Sequence, residues 1–141
     1  MPFLDDRARD QVRARLADLG GSVRLVFFER ALECDTCPEA RALIEEVAAL
    51  SDRISFEAWN VVTDREKARE YRVEEAPVLA VVGEKDYGIR FYGTPAGYEF
   101  GTLIEAIRDV GAGEARLEPS TIEALEGLSS PVHLRVFVTP T

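Results

Sequence analysis

Two cysteines, Cys34 and Cys37, sit where one local pattern gives way to another. Before them runs Val23-Arg-Leu-Val-Phe-Phe28, β-branched and aromatic, a buried strand by composition. After them Ala40, Leu43, Ile44 and Val47 recur at helical spacing, with Glu39, Arg41, Glu45 and Glu46 on the opposite face. A Cys-x-x-Cys that follows a strand and opens a helix is a redox motif rather than a bare pair. Two intervening residues let one sulfur sit at the helix start while the other tucks beside it, close enough to close a small ring. Unpaired N–H groups and the macrodipole at a helix N-terminus favour a thiolate. The expected chemistry is exchange: Cys34 attacks a disulfide to form a mixed disulfide, and Cys37 then attacks Cys34 and releases the reduced product, or the reverse.

The neighbours refine this expectation. Pro38 lacks an N–H where no intrahelical partner exists, so it suits the first turn. Thr36 with Glu39 forms a candidate cap, which places Cys34 slightly ahead of that turn. Glu33 and Asp35 flank Cys34 with no basic residue adjacent, and like charge raises a thiol pKa. The thiol is therefore expected to be less acidic than in strong oxidants, which a titration of thiolate absorbance tests.

The rest of the chain supplies an alternating framework. Ala8, Val12, Leu16 and Leu19 predict a helix over 5–19, stopped by Gly20-Gly21. Ile54–Ala58 alternates as a half-buried strand. Thr63-Asp-Arg-Glu66 reads as a capping box opening a short helix to about Tyr71. Pro77–Val82 predicts a strand, Gly83–Gly88 a turn, and Ile89–Tyr92 the returning arm of a hairpin. Gly93–Gly97 leads into a helix carrying Phe100, Leu103, Ile104, Ile107 and Val110. The order α-β-α-β-α-β-β-α is an α/β class: a thioredoxin-like βαβ-ββα core, a mixed sheet with helices on both faces, and an extra N-terminal helix.

By that count the unit occupies residues 1–113, with Gly111-Ala-Gly113 as a break. Residues 114–131 read as a linker whose Ser120-Thr-Ile-Glu123 is a second capping box. Val132–Val138 predicts a strand, and Val132, Leu134 and Phe137 repeat Val23, Leu25 and Phe28 at one constant offset. Residues 132–141 are thus expected to be the first strand of a second, truncated unit. Such a severed strand is expected to pair with an edge of this unit or with another chain, giving a homodimer through 132–138.

Composition narrows the partners. Of 141 residues, 26 are acidic and 17 basic, for a net charge of −9. That excess argues against nucleic acid, whose phosphates need basic residues, and against anionic membrane surfaces. The charged N-terminus lacks a secretory core, and Val78–Val82 is too short to span a bilayer. A cytoplasmic protein is expected. Two cysteines are too few for a disulfide-stapled secreted domain. Zinc needs about four ligands. The only other soft ligand, His133, is remote in sequence and reads as a surface or packing residue. No glycine-rich phosphate loop or dinucleotide fingerprint is present, so no metal and no cofactor are expected beyond a redox-active Cys34–Cys37 disulfide.

Several segments together resemble one family. The strand, cysteine pair and helix of 23–50, Glu75-Ala-Pro77, Asp86–Gly93, Pro95-Ala-Gly-Tyr-Glu-Phe100 and Val136-Phe-Val-Thr-Pro-Thr141 look like the glutaredoxin-like protein disulfide oxidoreductases of thermophiles. Those proteins carry two thioredoxin-fold units in tandem. The resemblance implies that Cys34 is the nucleophile, Cys37 the resolving thiol, and Pro77 a cis-proline facing them. It also implies that the Ala76 backbone offers its N–H and C=O to an extended substrate segment. The function so implied is that of a protein disulfide oxidoreductase acting on protein disulfides and dithiols, served by a thioredoxin-reductase-like reductant. Two alternatives stay open. One is the relay domain of a flavoprotein peroxiredoxin reductase, in which the working pair lies in the second unit. The other is a non-catalytic interaction module that uses the fold as a scaffold.

Overall fold

The computed structural model describes residues 2–139. Four strands make one sheet, β1 (Val23–Glu29), β2 (Ile54–Asn60), β3 (Val78–Val82) and β4 (Arg90–Tyr92), in the order β2-β1-β3-β4. β1 and β2 run parallel, with Val23 beside Ile54 and Glu29 beside Asn60. β3 runs antiparallel to both β1 and β4. The parallel pair needs a crossover, and the helix after the cysteines supplies it.

Among the described residues five helices accompany the sheet: α1 (Asp6–Leu16), α2 (Cys37–Ala48), α3 (Arg65–Glu70), α4 (Tyr98–Ala112) and α5 (Pro119–Glu126). Alternation along the strands divides the core in two. Val23, Leu25 and Phe27 of β1, with Leu79 and Val81 of β3, pack against Leu16 of α1, Ile44 and Val47 of α2, and Leu103 and Ile107 of α4. Val26, Phe28, Val78, Ala80 and Val82 face the other way, onto Ala68, Tyr71 and Val73 around α3. Phe27 and Phe28 have no exposed surface, and each contributes about 2 kcal/mol of burial to its own side. This is the α/β, thioredoxin-like architecture with helices on both faces and one helix in front.

Several sequence expectations need correction. The box at Thr63 does not form. Asp64 is the N-cap, and it instead accepts a hydrogen bond from the Asn60 N–H at 2.7 Å, while Asn60 Oδ1 takes the N–H groups of Val62 and Thr63. The Asn at the end of β2 takes the Thr63 N–H, the donor that the Glu66 side chain of a capping box would satisfy. The box at Ser120 is likewise absent: α5 starts at Pro119 with Glu118 as N-cap. Pro119 in the first turn explains the earlier start. Gly111-Ala-Gly113 is no break before Gly113, because α4 continues to Ala112 and closes on Gly113 with φ 73°. That left-handed cap suits glycine, and its N–H reaches the Asp109 and Val110 carbonyls.

The strand expected over 132–138 is not formed. Residues 131–139 join no ladder, and Leu134, Val136 and Phe137 are 82%, 83% and 90% exposed. A strand is made by the partner that completes its hydrogen bonds, and neither β2 nor β4 takes this segment as a neighbour. The last two residues of Thr139-Pro-Thr141 lie outside the described residues. No helix of the described residues is long and apolar enough to cross a membrane.

Candidate active site

β1 ends at Glu29, and the chain then turns through Arg30–Asp35 into α2. Cys34 lies in this turn, and Cys37 is the first residue of the helix. The two are joined as a disulfide with their Cα atoms 5.4 Å apart. Their exposure differs: Cys37 is 2% exposed, whereas Cys34 is only partly covered. The main chain holds the ring shut from inside, with the Cys37 N–H on the Cys34 carbonyl at 3.3 Å and the Ala40 N–H on the Thr36 carbonyl at 3.0 Å. Thr36 is the N-cap, as its position suggests, but its hydroxyl makes no capping bond. Its backbone is already helical, so the side chain does not lie over the free N–H groups. Glu33 takes φ 58°, a left-handed conformation uncommon outside glycine, to turn the chain into Cys34.

Sheet register brings a second segment to the same end. Val78 pairs with Phe28, so Pro77 lies level with the end of β1, from which the cysteine turn departs. The Ala76–Pro77 bond is cis. Across the hairpin the Gly93 N–H donates to the Pro77 carbonyl at 2.9 Å, which carries Thr94, Pro95 and the start of α4 to this end too. The Ala76 N–H and C=O have no hydrogen-bond partner among the described residues. An unpaired main-chain donor and acceptor beside a strand start form a short edge that an extended peptide can join.

Charge around the pair is mostly negative. Glu33, Asp35 and Glu39 are exposed and enter no ion pair among the described residues. Glu29 is held by the Arg41 guanidinium at 2.6 Å. Burial pushes the Glu99 carboxyl, in the first turn of α4, above its usual range. His133 lies in the exposed terminal segment. Two polar atoms at this end were not foreseen from the sequence: Arg30 Nε and Thr94 Oγ are buried without a hydrogen-bond partner among the described residues. Neither shows in local pattern, because Thr94 reaches this end only through the β3–β4 pairing.

No protein-family model matches the chain. A probable thioredoxin of Methanothermobacter thermautotrophicus is 36% identical over 77 residues, covering 54% of this chain and 82% of that protein. The F component of the alkyl hydroperoxide reductase of Staphylococcus epidermidis is 31% identical over 109 residues, which is 76% of this chain but 19% of the relative. This chain therefore spans about a fifth of that longer protein's length. Among solved structures, a protein disulfide oxidoreductase from Aeropyrum pernix superposes with a TM-score of 0.79 at 28% identity, over 90% of this chain and 57% of that one. A Cys-x-x-Cys disulfide between β1 and α2, together with these likenesses, makes this chain a member of the thioredoxin family of thiol–disulfide oxidoreductases.

Proposed function

We propose that the chain exchanges its Cys34–Cys37 pair with disulfides of client proteins, in the manner of a glutaredoxin-like protein disulfide oxidoreductase of the cytoplasm. The observation that carries this reading is the asymmetry of the pair, Cys34 partly exposed and Cys37 buried. The Cys34 thiolate attacks one client sulfur, forming the mixed disulfide as the client's S–S bond breaks and its other sulfur leaves as thiolate, to be protonated by water. The Cys37 thiolate then attacks Cys34 Sγ, expelling the second client thiolate and closing the ring. Two electrons pass from the protein's dithiol to the client. A dithiol reductant of the thioredoxin-reductase kind returns them by the same steps reversed.

Ala76 and Pro77 act in this scheme as the receiving edge. The client segment next to its cystine pairs with the free Ala76 N–H and C=O, which holds the attacked sulfur in line with Cys34. Insulin reduction by dithiothreitol tests the reading. The intact chain is expected to hasten turbidity, and Cys34→Ala to fall to the uncatalysed rate. Equal rates would leave only a scaffold.

The likeness to the F component of alkyl hydroperoxide reductase favours a second reading, a relay that passes electrons between a reductase and a peroxiredoxin. A chain that transfers electrons to a peroxiredoxin faster than to insulin supports the relay.

A further inference from the structure

The exposed rim of the disulfide carries far more negative charge than the exchange chemistry requires. Three segments meet at this end of the sheet: 29–39, 72–77 and 92–99. They hold seven carboxylates and two guanidiniums, Arg30 and Arg72. Only Glu29 among the seven has a cationic partner among the described residues, Arg41. Glu33, Asp35 and Glu39 surround the cysteines, and Glu74 and Glu75 directly precede Ala76. All five are exposed. Elsewhere on the sheet and its helices many acids are paired, as in Glu46 with Arg9, Glu57 with Arg24 and Asp86 with Arg90. At the rim, by contrast, five exposed carboxylates stand without an ion pair among the described residues.

Independent observations mark this end as a receiving surface. Among the described residues the Ala76 main chain keeps a free donor and acceptor, and the Thr94 hydroxyl is buried without a partner. Leu32 in the cysteine turn and Tyr98 at the start of α4, 80% and 81% exposed, add apolar area at this end. Main-chain groups and apolar contacts hold any extended peptide. The carboxylates decide its charge.

We propose that the rim of the Cys34–Cys37 disulfide selects clients whose cystine is flanked by lysine or arginine. This rests on the exchange reading above. A basic client gains from Glu33, Asp35 and Glu39 on the Cys34 side and from Glu74 and Glu75 on the strand-addition side. An acidic client meets like charge on both, which slows encounter and misplaces the attacked sulfur. Glu99, held in a poorly hydrated place without a counter-ion among the described residues, adds a further place for a client cation.

The test uses the reduced full chain and three cystine peptides of equal length, flanked by lysine, by glutamate or by neutral residues. Each single-turnover rate is divided by that of the same peptide with dithiothreitol, which removes the intrinsic reactivity of the cystine. The lysine peptide is expected to react about tenfold faster than the glutamate peptide at low salt, the ratio falling toward one at about 0.5 M salt. Glu74→Gln with Glu75→Gln is expected to narrow the ratio about two- to threefold. Equal rates for the charged peptides, or a faster glutamate peptide, overturn the inference while exchange with the neutral peptide leaves the proposed function standing. No exchange with any of the three overturns both.

Discussion

Glu46 ties the first residues of the chain to α2. Its carboxylate accepts the Phe3 N–H at 2.7 Å and the Leu4 N–H at 3.1 Å, and it takes the Arg9 guanidinium at 2.9 Å. Burial works against its charge, but these donors outweigh that cost and hold the carboxyl below its usual range. A depressed folded-state pKa contributes stability above the unfolded value, about 4.3, and loses it as pH falls through the folded value. Glu46→Gln is therefore expected to cost about 2 kcal/mol near pH 7, with the gap from the parent closing below about pH 4. Urea midpoints at both pH values check this, and a constant gap would refute it. Residue-scale reading from sequence was uneven. The cysteine pair lies where its neighbours place it, whereas Asp5, expected inside α1, caps it by accepting the Ala8 N–H. The boxes at Thr63 and Ser120 fail because competing partners, Asn60 and Pro119, act through geometry that a four-residue pattern does not contain.

At the scale of elements, glycine marks where β3 meets α4. A Cβ on Gly83 would fall 2.7 Å from the Val110 carbonyl oxygen and 2.8 Å from its Cγ1. The turn after β3 and the end of α4 approach backbone to backbone there, a contact that a methyl group prevents. Gly83→Ala is expected to cost about 2 kcal/mol and lower the thermal midpoint by several degrees. Gly101, on the exposed face of the same helix, provides the contrast, since a methyl group there would meet nothing within 4 Å. Gly101→Ala is expected to raise stability by about 0.5–1 kcal/mol, since only backbone freedom changes. Thermal melts of the two variants shifting in the same direction would sink this account. Strand and helix identities were legible because apolar spacing follows the period of each element: Leu43, Ile44 and Val47 on α2, Ile54 and its alternating neighbours on β2. The end of α4 was not, because Gly111 stays helical while it packs against Leu19 and Val23 from distant parts of the chain.

Over the whole molecule, one end of the sheet carries the disulfide and the other a hollow lined by Gly20, Gly21, Gly83 and Gly111. The terminal segment stands apart from both. Nothing in α5 is buried, and Val132, Leu134 and Val136 lie exposed with apolar side chains and unladdered backbone. Association of two chains through 132–138 is the expected outcome, since strand addition satisfies both. Light scattering is expected to show a dimer for the full chain and a monomer, with an unchanged thermal midpoint, for a chain ended at Leu128. A monomeric full chain would refute it. Local spacing alone determined the redox pair, the helix that opens on it and the two-sided strands, because those depend on neighbours within a few residues. Which segments share an end was decided only by tertiary structure. Register between β1, β3 and β4 sets Ala76, Pro77 and Thr94 at the end of the sheet from which the cysteine turn departs, and sheet pairing is a long-range hydrogen-bond ladder that no window of sequence contains.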